Sequence, residues 1–238
     1  MTLLSTTINM ILAITAVNDP TIDKCLEDIH RFENGIWDIH ILTDKPERFK
    51  RWKTHYYENN VFSFFDKLLF PLKLCNQLKK SVVSIDADDL KKPTLEFINN
   101  FVYTKRPKAI LYPNEWPLCE DKTLEYIFEK RMYLMSQTRI RNAIYYWGNM
   151  GFDYNILKPI WEWMIYVPYS EDIIKIIHEV DYIKPVFESG TILNDAYYYG
   201  NNQLYGTVVG SEEGLALSYA LEIHNLPYEK FNPIYYNI

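Results

Sequence analysis

Ser81–Leu90, SVVSIDADDL, is the stretch on which the fold and the chemistry of this chain turn. Ser81–Ile85 is short, apolar and β-branched, the signature of a buried strand. Three carboxylates, Asp86, Asp88 and Asp89, come directly after it. Ligands of open α/β sheets bind outside the carboxyl ends of strands, so acids placed here mark a candidate site. In an extended exit from the strand, Asp86 and Asp88 point to the same side, and their combined charge calls for a cation. Oxygen donors with no adjacent Cys or His favour Mg2+ or Mn2+ over zinc. The five histidines (His30, His40, His55, His178, His224) form no HxH or HxxxH pair, which supports that choice. An isolated Asp-x-Asp is commonly a solvated turn; the apolar strand before it, and a hydrophobic helix before that, place this one at a strand end.

Outward from that stretch, strand-like and helix-like segments alternate. Upstream, Asn9–Thr15 is an apolar run closed by Asn18-Asp19-Pro20, a turn that also caps the next segment. That segment, Thr21–Phe32, has helical spacing at Ile22, Cys25, Leu26 and Ile29, and Asp38–Leu42 is the next strand. Phe62–Leu78 puts Phe65, Leu68, Leu69, Leu72 and Cys75 on one helical face, with Pro71 kinking it or starting a new helix. Downstream, Thr94–Val102 reads as a helix and Ala109–Tyr112 as a strand. Beyond about residue 115 the pattern loosens: Lys122–Met135 is helical, Trp161–Val167 strand-like, Glu171–Glu179 helical, and Ser211–His224 a closing helix. Such alternation implies a mostly parallel sheet covered by helices on both faces. The expected organisation is one domain over 1–238, with a nucleotide-type half to about 115 and a less regular half from about 116.

Composition narrows the function. Only 8 of 238 residues are glycine, where average usage gives roughly 17. No GxxxxGK[ST] or GxGxxG string occurs, so a phosphate grip built from glycine-loop amides is not expected. With 48% hydrophobic residues the chain has a core to bury, which excludes a disordered protein. A net charge of −6 and a pI near 5.4 argue against nucleic acid as a partner. Cys25, Cys75 and Cys119 are widely spaced and odd in number, which fits reduced thiols and a soluble, cytoplasmic protein. The apolar run Ile8–Val17 is too short to span a bilayer and lacks a basic leader, so no transmembrane segment is expected.

Residues 65–90, FDKLLFPLKLCNQLKKSVVSIDADDL, resemble the core of the metal-dependent glycosyltransferases of GT-A fold: an amphipathic helix, an apolar strand, then the DxD motif. DIHILTDKPERF (38–49) is similar to their second strand and its loop, and AITAVNDP (13–20) to their first strand and nucleotide loop. The resemblance covers the first 115 residues or so. It implies a single GT-A (nucleotide-diphospho-sugar transferase) domain with a mostly parallel central sheet flanked by helices. The activity implied is hexosyl transfer from a UDP- or GDP-sugar to a glycan or glycoprotein acceptor, with Mn2+ or Mg2+ held by the DxD. On that pattern Asp88 is the direct metal ligand and Asp86 bridges ribose, metal or both. Asp89 supports them or meets the donor sugar. Thr15, Ala16, Asn18, Asp44, Lys67, Asp86 and Ala87 are the implied nucleotide-sugar contacts. Against this role for Lys67 stands the ordinary fate of a helix lysine, which is solvation.

Five of the eight glycines, Gly190, Gly200, Gly206, Gly210 and Gly214, fall within 25 residues. Glycine serves where backbone turns sharply or approaches a ligand. GSEEGLALSYA within this region resembles the acidic loop-helix that closes some GT-A catalytic domains, which makes Glu213 or Glu212 the candidate catalytic carboxylate and Ser211 an N-cap. Acids in a first helical turn also favour the helix dipole whatever the function. The resemblance leans to a retaining enzyme, and no HxD- or GxxK-type element supplies a third metal ligand. Trp116, Trp147, Trp161, Trp163 and Tyr197–Tyr199 are candidate sugar platforms, although most aromatics are core. The basic strings 45–53 and 130–141 read as solvated faces.

Three other readings compete. A haloacid-dehalogenase-like phosphatase carries its DxD on the first strand with Thr or Val two positions on; here Leu90 stands there and two strands precede. A metal-dependent nucleotidyltransferase of related architecture usually has a Gly-rich first loop, which the low-glycine N-terminal half lacks. A catalytically inactive GT-A-like carbohydrate-binding protein would keep the fold and lose the chemistry.

Overall fold

Six buried residues, Met10–Thr15, form the central strand β1. Met10, Leu12 and Ile14 enter one core and Ile11 and Ala13 the other, so both faces of the strand are covered. That is why its sequence is an unbroken apolar run and not an alternating one. The computed structural model describes residues 10–33, 37–59, 62–91, 108–113, 163–188, 196–199, 203–207 and 213–231. The helices expected at Thr94–Val102 and Lys122–Met135, together with Cys119, Trp116, Trp147 and Trp161, lie outside these residues.

After β1 come helix α1 (Asp19–Asp28), which continues as a 3-10 turn (Ile29–Phe32), β2 (Trp37–Thr43) and β3 (Lys53–Tyr56). Next are α2 (Phe64–Leu78), β4 (Val82–Asp86) and β5 (Ile110–Pro113). The remainder is β6 (Met164–Val167), α3 (Ile173–Glu188), β7 (Ala196–Tyr199), β8 (Gln203–Thr207), α4 (Glu213–Ile223) and β9 (Tyr228–Phe231). Seven strands make one sheet in the order β3-β2-β1-β4-β6-β5-β9. All run the same way except β6, which is antiparallel to both β4 and β5. This is the mostly parallel sheet flanked by helices that the GT-A resemblance implies. β7 and β8 pair as a separate antiparallel hairpin.

The two faces carry separate cores. Phe65, Leu68, Leu69, Leu72 and Cys75 of α2 pack with Ile173, Ile176, Ile177 and Val180 of α3 and with Ala216, Leu217 and Leu221 of α4. On the other face Ile22 and Cys25 of α1 join Ile29, Phe32 and Phe49. Burial pushes the Cys25 and Cys75 thiols up to about 12, so both are inert core groups and neither is a nucleophile.

The structure adds to the sequence reading at four points. Pro71 lies inside a single α2 and starts no new helix; its missing N–H leaves one turn-bond unmade, and the buried apolar face of α2 outweighs that loss. Lys53, the last residue of the basic string, opens the edge strand β3, which the sequence pattern does not mark; its side chain is exposed, in keeping with the solvated reading. Tyr228–Phe231 adds an unexpected β9 beside β5. The segment Gly190–Gly210 contains the β7–β8 hairpin.

Candidate active site

The strand order reverses at the centre of the sheet. From β1 the chain moves outward to β2 and β3, then returns to lay β4 on the other side of β1. Such a switch point opens a crevice at the carboxyl ends of the two central strands, because their loops leave in opposite directions. β1 and β4 end level with each other: Thr15 pairs in register with Asp86. The acidic motif stands at that crevice.

Asp86 is the last residue of β4, and its N–H donates to the Trp163 carbonyl at 2.8 Å. The chain then turns, with the Asp89 N–H donating to the Asp86 carbonyl at 2.9 Å. It does not leave the sheet extended. This i to i+3 closure gathers the carboxylates, and it adds Asp89 to Asp86 and Asp88. One oxygen from each of the three lies within 4.8 Å of the others. Asp88 is exposed, while Asp86 and Asp89 are half-buried. Arg31, from the 3-10 turn after α1, donates to the Leu90 carbonyl at 3.0 Å and ties down the far side of the turn. No sequence pattern announces Arg31, because its partner is a backbone carbonyl 59 residues away.

Lys67 reaches the cluster from α2. Its Nζ donates to Asp86 Oδ2 at 2.9 Å, and its side chain is 13% exposed, so it is not the solvated helix lysine of the plain alternative. Burial pushes the Asp86 carboxyl up to about 7; Lys67 opposes that rise, and Asp89 and Asp88 add to it. Lys67 meets this group of three carboxylates at Asp86. An all-oxygen donor set of this kind fits a hard divalent cation.

The other nucleotide candidates gather at the same end. Thr15 is nine-tenths buried beside Asp86, and its Oγ1 has no hydrogen-bond partner among the described residues. The Ala16 N–H donates to the Leu42 carbonyl at 2.9 Å. Asn18 caps α1 by accepting from the Thr21 N–H at 3.4 Å, and its own N–H donates to Asp44 Oδ1 at 3.1 Å. Asn18 holds φ 75° and ψ 153°, a conformation that is costly for a residue with a Cβ. The Ala87 side chain packs into the core on the α1 face, so only its backbone is available to a ligand. Lys45 and Arg48 of the basic string are paired to Asp19, and Arg48 also to Asp23.

A second buried pair braces α2. Lys184 of α3 bonds Asp66, which also accepts from the Tyr57 hydroxyl at 3.0 Å, and that hydroxyl accepts from the Ser63 N–H at 3.1 Å. Sequence spacing carries no sign of a link 118 residues long. Glu213 is the first residue of α4, whose Ala216 and Leu217 share the core of α2; Glu212 and Ser211 lie outside the described residues. His224 lies just beyond the end of α4, with its Nε2 3.3 Å from Glu179 Oε1 of α3.

Neither a protein-family model nor a curated protein matches this chain. Among solved structures it is similar to 4-diphosphocytidyl-2C-methyl-D-erythritol synthase from Anaerococcus prevotii. The identity is 12% and the TM-score 0.48, over 98% of this chain and 92% of that one. It is also similar to the bifunctional IspDF from Campylobacter jejuni, at 10% identity and TM-score 0.41, over 95% of this chain and 50% of that one. At these values the likenesses assign no role to any residue. No helix among the described residues is long and apolar enough to cross a membrane.

Proposed function

We propose that this chain is a metal-dependent transferase acting at the phosphates of a nucleotide, with Asp86, Asp88 and Asp89 as the ligands of Mg2+ or Mn2+. The observation that carries the proposal is the gathering of these carboxylates, with Lys67, at the switch point between β1 and β4. When bound there, a divalent ion offsets the negative charge that grows on a leaving phosphate. The chain's own groups do the rest. Asp88, exposed at the mouth, presents its carboxylate to the cation, and Asp86 anchors the rear of the site through Lys67. Lys67 supplies a positive charge to the phosphates, and Thr15 offers a buried hydroxyl beside them. Asn18 and Asp44 hold the loop after β1 in place for the base and ribose.

The group we assign to transfer is a sugar: a hexosyl unit passing from a UDP- or GDP-sugar to a glycan or glycoprotein hydroxyl, with Glu213 or Glu212 near the transferred sugar and a retaining outcome. The resemblance of residues 65–90 to the GT-A core supports this reading. The Ala16 and Asn18 amides of the first loop already serve Leu42 and Asp44, so the phosphates of either kind of donor would be met by side chains and a metal. Residues to about 115 are assigned the nucleotide-sugar and those from about 116 the acceptor, since the cluster and its neighbours come from β1, β2, α2 and β4. The free, buried Cys25 and Cys75 suit a cytoplasmic setting.

The second reading is nucleotidyl transfer. The same carboxylates and lysine would serve a nucleoside triphosphate, and the Anaerococcus protein is named as a synthase of a diphosphocytidyl product. Incubation with a panel of sugar nucleotides, and separately with nucleoside triphosphates and phosphorylated alcohols, separates the two. Metal-dependent release of UDP or GDP with sugar transfer or slow hydrolysis supports the first, and the anomer formed gives the stereochemistry. Pyrophosphate release supports the second. Nucleotide binding without turnover of any donor identifies a catalytically inactive binding protein.

A further inference from the structure

The Lys67–Asp86 pair has a consequence for how the proposed metal arrives. Lys67 Nζ lies 2.9 Å from Asp86 Oδ2, and neither side chain is more than about a fifth exposed. Its neighbour Asp66 is held by Lys184 and Tyr57 on the other side of α2, while Lys67 turns to Asp86. Asp86 in turn belongs to the group whose oxygens lie within 4.8 Å of one another. A cation drawn to those oxygens therefore comes within a few ångströms of an ammonium already in place. The nine-tenths buried Thr15, whose Oγ1 has no partner among the described residues, stands in register with Asp86 and is an independent sign that a ligand completes this corner.

We infer that Lys67 is a built-in counter-ion that competes with the divalent cation for Asp86 and passes to the nucleotide's phosphate when the cation binds. This rests on the metal-dependent reading above. The lysine stem is long and flexible enough to shift its charge between two acceptors without moving α2. In the absence of nucleotide, Lys67 keeps the cluster from being a strong metal trap. With nucleotide present, the phosphate takes over the ammonium, and all three carboxylates serve the metal.

The test is Mn2+ alone, with no nucleotide, titrated into the wild-type chain, Lys67→Met, Lys67→Arg and Asp88→Ala, with free Mn2+ read from its electron paramagnetic resonance spectrum. A single charge at this distance changes the affinity of a carboxylate for a cation by about tenfold or more. Lys67→Met is expected to bind Mn2+ at least that much more tightly than wild type, Lys67→Arg to stay close to wild type, and Asp88→Ala to bind none. Lys67→Met binding no tighter than wild type overturns the competition while leaving the metal site standing. Absence of Mn2+ binding in wild type and in both Lys67 variants overturns the metal site itself. A second measurement needs no variant: acetylation of Lys67 in the wild-type chain, mapped by mass spectrometry. Competition requires labelling to rise on saturation with Mn2+, and unchanged labelling contradicts it.

Discussion

Asn18 shows how one residue joins fold and site. Its side chain caps α1, its N–H holds Asp44, and its φ of 75° is a conformation in which a Cβ is penalised. Asn18→Ala keeps the penalty and loses the cap, so it is expected to cost ~1–2 kcal/mol in urea denaturation. Asn18→Gly relieves the backbone and is expected to cost under ~1 kcal/mol. Equal losses for the two would remove the backbone from the explanation. His40 and His55 make a second point at this scale. They stack 5.2 Å apart with Nδ1 and Nε2 at 2.9 Å, and His55 packs edge-on against Phe70. Burial lowers both below the usual histidine range; Lys53 adds to the fall in each, while Asp38 opposes it at His40. With folded values below the unfolded value of about 6.5, the unfolded chain takes up protons first as pH drops. The stability these neutral rings allow is therefore full above about pH 6.5 and is lost below it. Asp86, raised to about 7, works in the opposite direction over the same range, so the comparison is with His55→Gln, which keeps Asp86: between about pH 7.5 and 5.5 its urea midpoint is expected to gain on that of the wild type, and parallel profiles contradict the assignment.

Among the elements, α2 matters most, since it lines one core and carries Lys67 to Asp86. Its position rests on apolar contacts and on the pair Asp66–Lys184, in which both groups are largely buried. A double-mutant cycle on Asp66→Asn and Lys184→Met is expected to give a coupling of ~0.5–3 kcal/mol. A coupling near zero would mean that the pair is incidental and that packing alone seats the helix. The elements also show what a sequence displays. β1, β4 and α2 were legible because they are buried, and burial writes a pattern: a continuous apolar run for a strand covered on both faces, a repeating face for a helix. β3 and β9 were not, because four-residue strands at the sheet edges are too short to show a period and mix polar residues freely. The reversal of β6 was equally hidden, since strand direction is decided by which neighbour the chain meets in space.

At the scale of the whole molecule, the sheet order does what local sequence does not: it makes the ends of β1 and β4 adjacent. The DxD motif and the loop after β1 were each visible alone, and Asp86, Asp88 and Lys67 were identified by pattern and resemblance. Their convergence, the recruitment of Asp89 by a turn, and the support from Arg31, Tyr57 and Lys184 depend on contacts between distant segments, for which composition and spacing carry no signal. The scarcity of glycine now has a physical counterpart. The loop after β1 spends its amides at Ala16 and Asn18 on the protein itself, and the charge that would meet a phosphate is concentrated in side chains at the end of β4 and on α2.

That arrangement makes one claim above the rest: a nucleotide binds here through a metal held by the acidic cluster. Calorimetric titration of UDP, GDP and CTP, each with and without Mn2+, into the wild-type chain and Asp88→Ala tests it most directly. Because Asp88 is exposed, its loss is expected to change stability by less than ~0.5 kcal/mol, so the two proteins can be compared as folded molecules. The account predicts that at least one nucleotide binds wild type only when Mn2+ is present, and that Asp88→Ala abolishes this binding. Nucleotide binding that ignores Mn2+, or that survives unchanged in Asp88→Ala, would contradict it.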